Sequence, residues 1–165
     1  MSFDLFLVSF RDGIAAGADA PAAQATLQRY RYSHDREFNA YYSVQFDDGS
    51  HVELYADGLD DFSGKPFDGA MFSLRGFSQA IADFIFEFAR TSGCVIFPAM
   101  EPPCVLIPHE DLLAHLPADL SSDRRRISVR RGRELLAAVQ GGYVAWQGYR
   151  DRVVNLSGDS PLDTS

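Results

Sequence analysis

Apolar residues fall on both parities of the opening run, with Phe3, Leu5 and Leu7 interleaved by Phe6, Val8 and Phe10. A strand that carries apolar side chains to both faces suits a place covered on both sides, or at least central in its sheet, and the Arg11-Asp-Gly13 behind it is turn chemistry. Asp19 ahead of Pro21 marks a helix start, and Ala23, Leu27 and Tyr30 continue at helical spacing, which predicts a short helix over 20–31.

Strict alternation returns between residues 38 and 57. Tyr42, Val44 and Phe46 alternate with Tyr41, Ser43 and Gln45, and Val52, Leu54 and Ala56 alternate with His51, Glu53 and Tyr55. Two antiparallel strands meet at Asp47-Asp48-Gly49. A two-residue turn would set the inward Val44 against the outward Glu53. A three-residue loop with Gly49 left-handed pairs Val44 with Val52 and Tyr42 with Leu54 on one face, and Tyr41 with Tyr55, Ser43 with Glu53 and Gln45 with His51 on the other.

Residues 57–70, rich in Asp, Gly and Ser, read as a loop, and Ala70–Arg75 as another strand. Phe77, Ile81, Phe84, Ile85 and Phe88 then form an aromatic stripe at helical spacing over 77–90, with Gly93 as its stop. Two apolar runs, Cys94–Phe97 and Cys104–Ile107, are separated by prolines, so at least one is expected as an edge or a short strand, and a brief helix over 110–116 ends at Pro117. Arg126–Val129 has strand character. Leu135, Leu136 and Val139 mark a helix stopped by Gly141-Gly142, after which 143–154 suits either element type. The pattern predicts a single domain over 1–154 and a flexible tail over 155–165. Its class is two-layer α+β, with a mainly antiparallel sheet of about five strands and helices on one face.

Composition narrows the function classes. No apolar run approaches the roughly 20 residues of a membrane-spanning helix. Asp4 interrupts the opening run, which reads as a strand and not as a signal core, so a cytoplasmic location is expected. Two cysteines, Cys94 and Cys104, are too few for a disulfide framework and are expected as free thiols. The net charge of −8 opposes general attraction to nucleic acid. It is unevenly spread: residues 1–120 carry 18 acidic and 7 basic side chains, and residues 121–165 carry 5 and 8.

The opening Met1-Ser-Phe-Asp-Leu-x-Leu-x-x-Phe-x-x-Gly13, the Phe-rich helix with its following strand, and Leu112-Leu-Ala-His-Leu-Pro117 resemble a group of small uncharacterised bacterial α+β proteins. In size, charge and layout the chain also resembles the immunity partners of secreted polymorphic toxins. That likeness implies a partner protein, a basic toxin, and assigns no catalytic residue.

Among motifs that could carry chemistry, His109 and His115 are six apart, which on a helix at roughly 100° per residue separates them by about 120° and prevents shared metal ligation. His51 and Glu53, two apart on a strand and about 6–7 Å from each other, join Tyr41, Tyr55 and Gln45 in a polar cluster containing a base, an acid and phenols. A small-molecule or enzymatic site on His51 and Glu53 is one reading. No nucleophile, phosphate loop or metal set accompanies it, so neither cofactor nor catalytic residue is assigned. Tyrosines on a rigid sheet beside the acids Asp57, Asp60 and Asp61 suit a protein interface better. Arg124, Arg125, Arg126, Arg130, Arg131 and Arg133 form a basic segment that offers nucleic-acid contact as a further alternative, ranked lower because the whole chain is acidic.

Overall fold

The computed structural model describes residues 2–35, 37, 40–60, 64–120 and 124–158. The chain opens with β1 (Phe3–Val8) and a ribbon of β2 (Phe10–Arg11) and β3 (Ile14–Ala15). There follow α1 (Ala20–Gln28), β4 (Arg31–His34), β5 (Tyr41–Gln45), β6 (His51–Tyr55), β7 (Gly69–Leu74) and α2 (Gln79–Ser92). Then come β8 (Val95–Pro98), β9 (Cys104–Ile107), a 3-10 helix (Glu110–His115), β10 (Arg125–Ser128) and α3 (Gly132–Gly158). No helix among the described residues is long and apolar enough to cross a membrane.

Eight strands form one sheet in the order β10-β9-β8-β1-β7-β6-β5-β4. The class is α+β, as the pattern predicts, but the sheet is larger than the expected five strands. It is also mixed, because β10 runs parallel to β9 while the other neighbours are antiparallel. The strand that the pattern misses is β4: Arg31-Tyr-Ser-His34 has no apolar alternation, because an edge strand needs little burial to pair.

The β5–β6 hairpin has the expected register, with Val44 opposite Val52, Tyr42 opposite Leu54 and Tyr41 opposite Tyr55. Gly49 takes φ +84° in its loop. Asp19 caps α1 by accepting the Ala22 amide, Ser78 caps α2 by accepting the Ile81 amide, and Gly93 closes α2 in the left-handed conformation. Helix α1 stops at Gln28, earlier than the expected residue 31, because the chain turns into β4 there.

One face of the sheet meets the helices. Ile81, Phe84, Ile85 and Phe88 of α2 pack with Leu5, Leu7, Val44, Val52, Leu54 and Phe72 in the main core. Among the described residues the opposite face is covered only at one end, where Leu112, Leu116 and Leu120 lie over Val95, Val105 and Ile107. So β1 is central but not covered on both sides: Leu5 is fully buried while Phe6 is 43% exposed. The brief helix expected over 110–116 is present at the covered end as a 3-10 helix over Glu110–His115, and the His109 side chain accepts the Asp111 amide at its start.

Gly141 and Gly142 do not stop the last helix. Each glycine in a helix interior costs about 1 kcal/mol relative to alanine. Aromatic packing offsets this: Tyr143 meets Phe3 edge-on at 5.9 Å, stacks obliquely on Trp146 and donates to the Arg75 carbonyl at 3.0 Å. Gly142 also permits close approach to Met100, whose Cβ would lie 2.7 Å from any added Cβ. Residues 155–158 of the expected tail therefore belong to α3. Residues 159–165 lie outside the described residues.

Both cysteines are free and buried. Burial pushes the Cys94 thiol up to about 11 from 9.0. A raised thiol pKa means that the unfolded chain releases its proton first, so this contribution to stability is complete below pH 9 and fades as the pH climbs towards 11. Native protein is expected to resist iodoacetamide at Cys94 near pH 8, whereas urea-unfolded protein reacts. Mass spectrometry of the modified peptide distinguishes the two; rapid native labelling would contradict the buried placement.

Candidate functional site

The register of four strands builds a continuous row on the uncovered face. Phe6 lies opposite Met71, Met71 opposite Tyr55, and Tyr55 opposite Tyr41. At its other end Phe6 pairs with Phe97, which dips under the covered end against Phe10. Alternation forces this arrangement, because Phe3, Leu5 and Leu7 point into the core and leave Phe6 on the other side. A polar row runs alongside, in which Asp4 faces Ser73, Ser73 faces Glu53 and Glu53 faces Ser43.

Glu53 joins the two rows. Its carboxylate accepts from the Tyr41 hydroxyl at 3.4 Å and pairs with Arg75 at 3.5 Å, and its side chain is only 17% exposed. Burial and the adjacent Glu53 carboxylate raise the Tyr41 phenol above its ordinary range, so it remains a neutral donor at physiological pH. The Tyr41 and Tyr55 rings lie 5.2 Å apart at a tilt of 59°. With Asp35, Ala40, Asp57 and Lys65 they enclose an open hollow of about 730 Å³.

The site residues expected from sequence divide into three groups. Tyr41, Glu53, Tyr55 and Asp57 converge on the hollow, where Asp57 pairs with Lys65 at 3.3 Å. His51 lies on the same face towards the β5–β6 loop, in a shallow depression with Arg31, Gln45 and Ser50. The contacts of Glu53 go to Tyr41 and Arg75, and His51 has no side-chain partner among the described residues. Asp60 sits away from the face, 3.8 Å from His34, which stacks on Tyr42. Burial, with Asp60 nearby, pushes the Tyr42 phenol up to about 12. Asp61 lies outside the described residues.

Sequence reasoning missed Phe6, Met71, Asp35 and Lys65. The hairpin register was legible locally, but placing Phe6 and Met71 beside it requires the pairing of β1 with β7, two segments far apart in the chain.

The remaining motifs take structural roles. His115 accepts the Asp12 amide at 3.2 Å. Arg124 lies over the Phe97 ring at 5.1 Å, and Arg130 approaches Glu110 at 3.9 Å. Among the described residues no three His, Cys, Asp or Glu side chains converge as a cation site for a metal. No family model, curated protein or solved structure matches this chain.

Proposed function

We propose that this chain is a protein-binding module whose uncovered sheet face docks a basic partner. The observation that carries the reading is the row Phe6, Met71, Tyr55 and Tyr41, displayed across four hydrogen-bonded strands and flanked by Asp4, Glu53 and Asp57. Large side chains on a rigid sheet lose little conformational freedom on binding, and tyrosines are favoured interface anchors. The flanking carboxylates steer a cationic surface towards them. The likeness to immunity partners makes a basic toxin the partner class, with neutralisation by occlusion. The catalytic alternative draws little support, because Glu53 is committed to Tyr41 and Arg75 and not to His51.

Capture from a lysate of the source organism, using the tagged protein at low and at moderate salt, tests this. One basic protein should be retained at low salt and released as salt shortens the reach of the acids to about 10 Å or less. With that partner in hand, Tyr55→Ala and Phe6→Ala should each weaken binding by roughly tenfold or more. Asp57→Asn should slow association at low salt only. Retention of nucleic acid alone, or a partner indifferent to both row substitutions, would sink the reading.

A further inference from the structure

We propose that the hollow beside Tyr41 and Tyr55 is a receptor for one guanidinium group, the side chain of an arginine that the partner inserts. This rests on the protein-binding reading above and names the contact at its centre.

The hollow combines the two kinds of surface that a guanidinium requires. Its aromatic part is the Tyr41–Tyr55 pair, which lines the hollow with its rings 5.2 Å apart at 59°, and aromatic rings attract flat cations. Its ionic part is Asp35, Glu53 and Asp57, three carboxylates around one hollow. Both contacts of Glu53, from Tyr41 and from Arg75, fall on Oε1, which leaves Oε2 as the oxygen available to an incoming donor. The same two contacts hold the carboxylate in place before binding, so little ordering is lost when a ligand arrives.

Lys65 is an internal indicator of what the hollow favours. It is the single lysine of the chain, and it lines this hollow with Nζ at 3.3 Å from Asp57. Its side chain is 65% exposed. Among the described residues the lining carries three acids and Lys65, and Arg75 pairs with Glu53 from beside it. A guanidinium fits the remaining space better than an ammonium: it is planar, more weakly hydrated, and donates two parallel N–H groups to a carboxylate while its face lies on a ring.

The test uses the intact protein and two small probes, N-acetyl-arginine methylamide and the isosteric, uncharged N-acetyl-citrulline methylamide. Ring signals of Tyr41 and Tyr55 are followed by NMR during titration. The arginine probe should shift both tyrosines, with a dissociation constant on the order of millimolar, and the citrulline probe should bind at least about tenfold more weakly. Glu53→Gln should lower arginine affinity by a similar factor, and Tyr55→Leu should do so with all the acids intact. Equal shifts from the two probes in wild-type protein, or shifts confined to other residues, overturn the inference without reference to any variant. If a captured partner depends on Phe6 but is indifferent to Glu53→Gln, the arginine receptor fails and the protein-binding reading stands. Binding of the arginine probe with no protein captured supports the cation receptor and sinks the partner reading.

Discussion

Replacing Phe84 with alanine is expected to remove about 3–5 kcal/mol of stability, a large part of the roughly 5–15 kcal/mol that holds a typical domain folded. Phe84 is fully buried and lies at the centre of the aromatic stripe. Its ring meets Tyr30 at 4.8 Å, and Phe46, Phe72 and Phe88 each at 5.8 Å. These neighbours come from the α1–β4 link, the β5–β6 loop, β7 and α2 itself, so the cavity cannot be closed by moving one element. Phe84→Leu retains most of the volume and should lose much less. Urea unfolding would check both, with the midpoint falling and the slope unchanged. A loss below about 1 kcal/mol for the alanine variant would place the core elsewhere. The hollow lies on the opposite face, so the folded variant should still take the arginine probe.

Gly132→Ala is expected to destabilise by about 1–3 kcal/mol or more, although alanine is the better helix former by about 1 kcal/mol. The sign is decided by packing. A Cβ at position 132 would come within 2.6 Å of the Asp83 Cα and 2.8 Å of its amide nitrogen, and neither backbone atom can rotate aside. The start of α3 would have to withdraw from α2, loosening the Tyr143 and Trp146 contacts further along the same helix. Gly148→Ala serves as the control, because nothing lies within 4 Å of its added Cβ and the helical preference alone should act. Thermal unfolding of both variants tests this; if Gly132→Ala matched or exceeded wild type, α2 and α3 would not be in contact there.

Local patterns made α1, α2 and the β5–β6 hairpin legible, because these depend on spacings of a few residues and on Asp19, Gly49 and Gly93, whereas the Ser78 cap emerges only from the structure. They also brought out four residues of the hollow, since Tyr41, Glu53, Tyr55 and Asp57 belong to one hairpin and its exit. What they could not reveal was long-range. The parallel pairing of β10 with β9 depends on a chain path through the 3-10 helix, and Arg125-Arg126 at a sheet edge resembles any solvated basic segment. Gly141-Gly142 misled because the compensating contacts, Tyr143 on Phe3 and Gly142 on Met100, join opposite ends of the sequence. Phe6 looked like core because apolar identity does not tell which face of the sheet has a cover.

The central place of β1 has a consequence for the way the domain is made. Leu5 pairs with Phe72 on one side and Pro98 on the other, so the first strand of the domain has no neighbour until much later segments leave the ribosome. At roughly 5–20 residues per second, the interval before β8 is available is on the order of 5 to 20 seconds. Until β7 arrives Phe3, Leu5, Phe6 and Leu7 have no strand partner, and until β8 arrives one edge of β1 stays open, while the β5–β6 hairpin needs only local pairing. The domain thus exposes an apolar strand as soon as its first segment is made and completes the pairing of that strand only after β8. Early β1 is the place where a holdase chaperone would have most to protect, and where a slowed ribosome would do most harm.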